Sequence, residues 1–330
     1  MWLLQPFRGR FALAPLWFLL LSACVAPRQD VVVSDGETRE IFLLSKAQTV
    51  AFPLLLAAAD RCPFDQDGTY GFVLGDIARP ALQAGSWSGQ GIVVSQVYAR
   101  SPAARAGLQT GDRLIEVNTR DVSRDTAFAA SDLVRRLTKA RVQPLQLDVM
   151  RAGQRLQLLM ETVPSCQFTL SLVRADVVNA VSNGKQIVVT TGLMYFVRSD
   201  DELAWVLAHE IAHNVLGHVP DARLRAMLSD WLSATMGEAG GPAPSSRSLE
   251  VDADYLGAYL MARAGFELEA VRRFWQRMGK IEVYPGGSTA GIERSHPTTQ
   301  ERIEAFDATL NEIRDKRAQG RALDPVLHPH

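Results

Sequence analysis

"DELAWVLAHEIAHNVLGH", residues 201–218, sets two histidines four positions apart with a glutamate directly after the first. Ser199 and Glu202 have the spacing of a capping box, so a helix is expected to begin near Asp200 and to run past His213. At about 100° per residue, His209 and His213 stand nearly one above the other on one face. Two neutral imidazoles so placed can share a tetrahedral zinc ion, and Glu210 beside them is positioned to take a proton from a water on that ion. Two incidental histidines would be an odd choice for so apolar a helix.

A catalytic zinc keeps three protein ligands and one open position. His218 is near in sequence, but the pattern H-E-x-x-H-x-x-G-x-x-H puts glycine where Leu216 stands, and His218 falls one residue short of its last histidine. His218 therefore reads as a helix-end residue, favourable near the C-terminal dipole. The better third ligand lies in "SLEVDADYLGAYLMARAG", residues 248–265. Glu250 and Asp254 are four apart on one face of a second helix whose other faces are apolar. An inward-facing carboxylate needs a cation, which the first helix supplies through its ion. Asp254 is then placed to accept the free N–H of a zinc-bound histidine and to fix its tautomer.

Upstream of this pair the texture differs. "SKAQTVAFPLLLAAADRC", residues 45–62, reads as a helix with Ser45 as N-cap and Pro53 as a possible kink, preceded by a loose or short-strand segment at 25–44. Residues 70–163 alternate short apolar runs with glycine-bearing turns, including a hairpin turning at Ala152-Gly153. Ser101-Pro102-Ala103, Ala106-Gly107-Leu108 and Gly111-Asp112 make this stretch resemble a bacterial PDZ domain. Such domains bind peptides by adding a strand to a sheet edge, often with the ligand's C-terminal carboxylate held by backbone N–H groups. "YGFVLGD", residues 70–76, is the candidate loop for that, with Gly71 and Phe72 at its turn. Beyond Gln167 the pattern is α+β, with strands in "CQFTLSLV" and "KQIVVTTG" and helices near 199–218, 221–236, 247–264, 267–279 and 298–318. "GEAGGPAPSS", 237–246, is a break, and the final "ALDPVLHPH" reads as a disordered tail.

The first residues carry an address. Arg8 and Arg10 precede the apolar run "FALAPLWFLLLSA", which is too short for a comfortable membrane span and ends in "LSAC", residues 21–24. Leu-Ser-Ala-Cys resembles a bacterial lipobox, which implies cleavage before Cys24 and its acylation; Val25 in place of an aspartate then favours the outer membrane of a Gram-negative cell. In such an oxidising compartment Cys62 and Cys166 read as a possible disulfide. The 35 Lys and Arg balance 36 Asp and Glu without a single-sign run, which excludes a nucleic-acid-seeking protein.

His209-Glu210-x-x-His213 with Glu250-x-x-x-Asp254 resembles the HtpX- and BepA-like zinc peptidases, a gluzincin-type family. "NAVSNGKQIVVTTGLM" is similar to the strand before that family's active helix, and "SHPTTQERI" to its late Ser/Thr-His-Pro motif. The resemblance implies His209, His213 and Glu250 as ligands of one zinc per chain, Glu210 as the base, and His296 or Arg302 as the side chain that stabilises the oxyanion. His296 is open to a second role, occupying the free zinc position in an inhibited state. The implied fold is α+β: a mainly helical peptidase with a small sheet, plus a PDZ module built as a partly open barrel with two helices.

The expected boundaries are a signal peptide at 1–23, the peptidase's first helix within 24–62, the PDZ insertion at 63–163, the remaining peptidase at 164–318 and the tail at 319–330. No spanning segment is read after Cys24, unlike the family's integral-membrane members, and the helical repeats of some periplasmic relatives are not seen. The expected activity is cleavage of unfolded or misassembled envelope proteins, with substrate received as an added strand on "KQIVVTT" if that strand lies at a sheet edge. A PDZ-bearing binding lipoprotein with a structural zinc is the competing reading. Glu210 speaks against it, because a structural site needs no base beside a water.

Overall fold

A helix, α1, runs from Asp35 to Ala57 and continues through Pro53. The computed structural model describes residues 35–63, 68–77, 90–140, 143–218, 247–280, 296 and 299–327; Cys24, the expected helix at 221–236 and the break at 237–246 lie outside these. α1 starts ten residues before the expected Ser45. Its charged first turns look like loop in sequence, yet Leu43 at their end is already buried with Ala47, Val50, Ala51 and Leu54 in the peptidase core. Thr38–Ala57 is also long and apolar enough, by length and composition, to cross a membrane, contrary to the sequence reading.

The chain then leaves for the PDZ module. Its strands are β1 (Gly68–Thr69), β2 (Phe72–Asp76), β3 (Ile92–Val97), β4 (Arg113–Val117), β5 (Arg120–Asp121), β6 (Leu145–Arg151), β7 (Gln154–Met160) and β8 (Val163–Pro164). β2-β3-β4-β6-β7 pair in that order, antiparallel throughout, with β5 on β4. Ile92, Val94, Leu114, Leu145, Leu147 and Val149 turn one face inward at period two, and helices α2 (Pro102–Arg105) and α3 (Ala127–Lys139) cover them. The Ala152-Gly153 turn holds both residues at positive φ, 48° and 79°, as a two-residue hairpin requires.

β1 pairs with β8 and closes the neck of the insertion. Just outside it Cys62 and Cys166 are bonded, with Cα atoms 5.7 Å apart. The module rests on α1: Phe52 stacks on Tyr98 at 4.5 Å, and Gln96 Nε2 donates to Ser45 O (3.0 Å) and Thr49 Oγ1 (2.7 Å).

Back in the peptidase, β9 (Thr169–Val173), β10 (Ala180–Ser182) and β11 (Gln186–Thr190) form a sheet in the order β10-β11-β9. β11 is thus central, not an edge: "KQIVVTT" is already paired on both sides, and β10 carries the outer edge nearest the active helix. A short helix α4 (Thr191–Phe196) leads into α5, Asp200–Leu216. Every residue of α5 from Glu202 to Asn214 is buried, as expected for a helix apolar all round. The first turn is capped as expected: Ser199 Oγ accepts from Glu202 N (3.2 Å), and Glu202 Oε2 accepts from Arg198 N (2.7 Å).

Arg277, on a helix introduced below, adds a bidentate pair to Glu202 at 2.6 and 2.5 Å. Burial alone would raise the Glu202 pKa, but Arg277 and the Arg198 N–H outweigh it and hold the carboxyl below its usual value. Glu202→Ala leaves the partly exposed Arg277 guanidinium without its carboxylate partner, and urea unfolding should show a loss of about 1–3 kcal/mol. The Glu202 contribution is present above the unfolded carboxyl pKa of about 4.3 and disappears as pH falls through the lower folded value.

Three more helices complete the fold: α6 (Arg247–Ala264), α7 (Glu269–Met278, which carries Arg277) and α8 (Gln300–Ala318). The expected disordered tail is ordered through residue 327 and straps back across the molecule. Arg263 Nε donates to Leu323 O (2.8 Å), Lys316 Nζ to Asp324 O (2.7 Å), Arg61 Nη2 to Pro325 O (3.1 Å), and Val326 N to Tyr255 Oη (3.1 Å). Leu323 and Leu327 pack on the core.

Candidate metal centre

α6 packs directly on α5, and Gly257 lets it: a Cβ there would lie 3.3 Å from the backbone of Ala208 and His209. The approach sets Glu250 and Asp254 opposite the two histidines. One ligand atom from each of His209, His213, Glu250 and His296 falls within 4.8 Å of the other three. The Nε2 atoms of His209 and His213 face each other at 3.0 Å, and Glu250 lies 3.2 Å from the first and 3.5 Å from the second. Two imidazole nitrogens converging with a carboxylate make a donor set that could hold a metal ion.

His296 arrives from the segment before α8. Its Nδ1 is 2.9 Å from Glu250 Oε2 and 3.2 Å from His209 Nε2, while its Nε2 is 3.4 Å from Glu210 Oε1. Asp254 Oδ1 meets His209 Nδ1 at 2.9 Å, which orients the ring with Nε2 toward the cluster. Arg302, expected at the oxyanion, is engaged with Asp254 and with the backbone of His296. Its Nε and Nη2 bond both Asp254 oxygens at 2.6 and 2.7 Å, and its Nη1 donates to the His296 carbonyl at 3.0 Å. It thereby ties together Asp254, which orients His209, and the backbone of His296.

The sequence reading missed a further partner. His218 Nδ1 lies 3.3 Å from His213 Nδ1, brought there because Gly217 ends α5 at φ 69° and turns the chain back. Glycine at the helix C′ position was the local signal for this return. Gly71 also sits where a glycine is required, at φ 77° with Ser101 and Phe52 filling the space of a side chain. The loop there is only Tyr70-Gly71. Phe72 already begins β2, an edge strand with α3 packed beside it, so most of "YGFVLGD" is strand.

Electrostatics favour a cation. Glu210, Glu250 and Asp254 are three carboxylates each about 1% exposed, with Arg302 the guanidinium beside them. Burial would raise the Glu250 pKa, but His296, His209 and His213 outweigh it and hold it far below the carboxylate range. Burial lowers His213 to about 4, which keeps its imidazole neutral as a ligand must be. Burial also presses on His209, but Asp254 and Glu250 outweigh it and lift it to about 9, so its ring holds a proton that it would release on taking a metal ion. Glu210 is buried with no hydrogen-bond partner at either oxygen among the described residues. The donor set suits a divalent ion. Asp254→Asn should weaken metal binding by about 10–100-fold in a chelator competition.

This arrangement, with H-E-x-x-H on one helix and a carboxylate on the next, defines a metallopeptidase site. A model of peptidase family M48 matches residues 145–242 and 225–310, and one of the PDZ domain matches 93–142. The chain belongs to peptidase family M48 and carries a PDZ domain; the first residues of the family match, in β6 and β7, belong structurally to the PDZ sheet.

It is 32% identical over 189 residues to "Mitochondrial metalloendopeptidase OMA1" of Schizosaccharomyces pombe, covering 53% of this chain and 56% of that one. It is 28% identical over 189 residues to "Putative beta-barrel assembly-enhancing protease" of Vibrio cholerae, covering 49% and 37%. A solved HtrA3 PDZ domain bound to a phage-derived ligand (FGRWV) is 26% identical, with 29% of this chain and 84% of that one covered and a TM-score of 0.23. The chain spans about half the length, or less, of the curated relatives it matches.

Proposed function

We propose that this chain is a zinc-dependent endopeptidase that cleaves unfolded or misassembled proteins at the bacterial cell envelope, held to a membrane, the outer one by the lipobox reading, through acylated Cys24. The observation that carries the catalytic part is Glu210: a carboxylate with no hydrogen-bond partner among the described residues, buried beside three candidate ligands. His209, His213 and Glu250 would hold one zinc per chain. When bound, zinc supplies Lewis-acid polarisation of a peptide carbonyl and of a water molecule.

Glu210 takes the proton released as that water adds to the carbonyl and passes it to the leaving amine. Asp254 fixes the His209 tautomer, and Arg302 in turn fixes Asp254 and the His296 backbone. His296 is the side chain left to face the oxyanion. A second role is favoured by its 2.9 Å approach to Glu250: in the resting protein it serves as a fourth ligand that must withdraw before substrate enters.

Substrate is received as an extended strand on the outer edge of β10, which favours chains that are locally unfolded. The edge of β2, unpaired by any strand among the described residues and beginning at the Gly71-Phe72 peptide groups, supports the PDZ module as a binder of C-terminal peptides that selects or regulates substrate. The test is casein digestion by the purified chain, expected to stop with a chelator and to return with added zinc. Digestion that survives full metal removal contradicts the reading.

A further inference from the structure

Guanidinium nitrogens aside, the buried side-chain polar atoms without a hydrogen-bond partner among the described residues are both oxygens of Glu210, Asn214 Nδ2 and Ser182 Oγ. α5, which carries Glu210 and Asn214, packs against β10, which carries Ser182. Asn214 follows Glu210 by four positions on α5, so it occupies the same face one turn on. Its Oδ1 accepts from Gly184 N at 2.5 Å, at the tip of the β10–β11 hairpin. Ser182 ends β10 two residues before Gly184, and its side chain turns inward with that of Ala180, toward the core around α5. Asn214 is 1% exposed and Ser182 5%, against 1% for Glu210.

An unpartnered buried donor is costly and rare in a native fold, and each one calls for a partner, whether a bound ligand or an ordered water. Asn214 Nδ2 only donates, and Ser182 Oγ donates readily, so the missing partner presents oxygen acceptors. A peptide laid along β10 does so at every residue, spaced by about 3.3 Å. One helical turn, about 5.4 Å from Glu210, is one or two peptide units from the bond under attack. We propose that Asn214 and Ser182 form a polar subsite that hydrogen-bonds a carbonyl oxygen of the substrate backbone one or two residues from the scissile bond. The proposal rests on the peptidase reading of the same centre. Because it reads backbone rather than side chain, the subsite selects for extended chain and not for sequence.

Ser182→Ala separates this from a structural role. It removes a hydroxyl that nothing satisfies in the free protein, so thermal stability should hold or rise while substrate binding weakens. In a zinc-loaded Glu210→Gln background, fluorescence anisotropy with dye-labelled casein should show Kd raised about 3- to 10-fold for Ser182→Ala and for Asn214→Ala. With Glu210 intact the same loss should appear in KM rather than kcat. Asn214→Ala also loses the Gly184 tether and is scored by affinity alone. Unchanged Kd in both variants overturns the subsite and leaves the two side chains bridged by an internal water, and a lower melting temperature for Ser182→Ala overturns it as well. Failure of the peptidase reading looks different: no chelator-sensitive cleavage by the Glu210 protein, with the Kd difference still present.

Discussion

Glu210→Gln should keep its zinc and lose casein cleavage by about 10²–10⁴-fold, the usual contribution of a positioned general base. The substitution keeps the shape of the side chain and removes only its ability to accept a proton. The residue makes no hydrogen bond among the described residues that the amide would break, so folding should be undisturbed. Metal analysis and a thermal melt on the same sample separate the outcomes. Cleavage near the wild-type rate would refute the assignment of the base, whereas loss of metal along with activity would make Glu210 a ligand.

Glu250→Ala should instead lose the ion. Of the three proposed ligands Glu250 carries the charge, and it is held ionised by the histidines around it against the pull of burial. Without it the paired Nε2 atoms of His209 and His213 keep His296 beside them but lose their carboxylate, since Asp254 is committed to His209 Nδ1 and to Arg302. Zinc after gel filtration should fall from one per chain to a small fraction, with cleavage at background. The loss should exceed that of Asp254→Asn, since Asp254 acts on the ion only through His209. Full zinc occupancy in Glu250→Ala would show that the third ligand lies elsewhere.

The parts of this site that were legible in the sequence are those set by short-range chemistry. A capping box, two histidines one turn apart and two carboxylates one turn apart each announce themselves within a single helix. What escaped depends on where distant segments meet. The His218–His213 contact exists because Gly217 reverses the chain, and Arg302 faces Asp254 because α8 packs on α6. β11 reads as a strand from its own residues, but whether it is central or an edge is decided by pairing with β9, in parallel and across the chain. Asn214 and Ser182 are polar residues that look solvent-facing until both prove buried. The strap at 321–327 holds no regular element and is fixed by arginine, lysine and tyrosine side chains from elsewhere, so its proline-bearing sequence resembled disorder.

The most direct measurement is X-ray absorption at the zinc edge on the purified full chain, with the metal content of the same sample. The account expects one ion per chain in a shell of nitrogen and oxygen at about 2.0–2.1 Å that includes at least two imidazoles. A sulfur shell near about 2.3 Å, or a chain that binds no stoichiometric zinc, would contradict it.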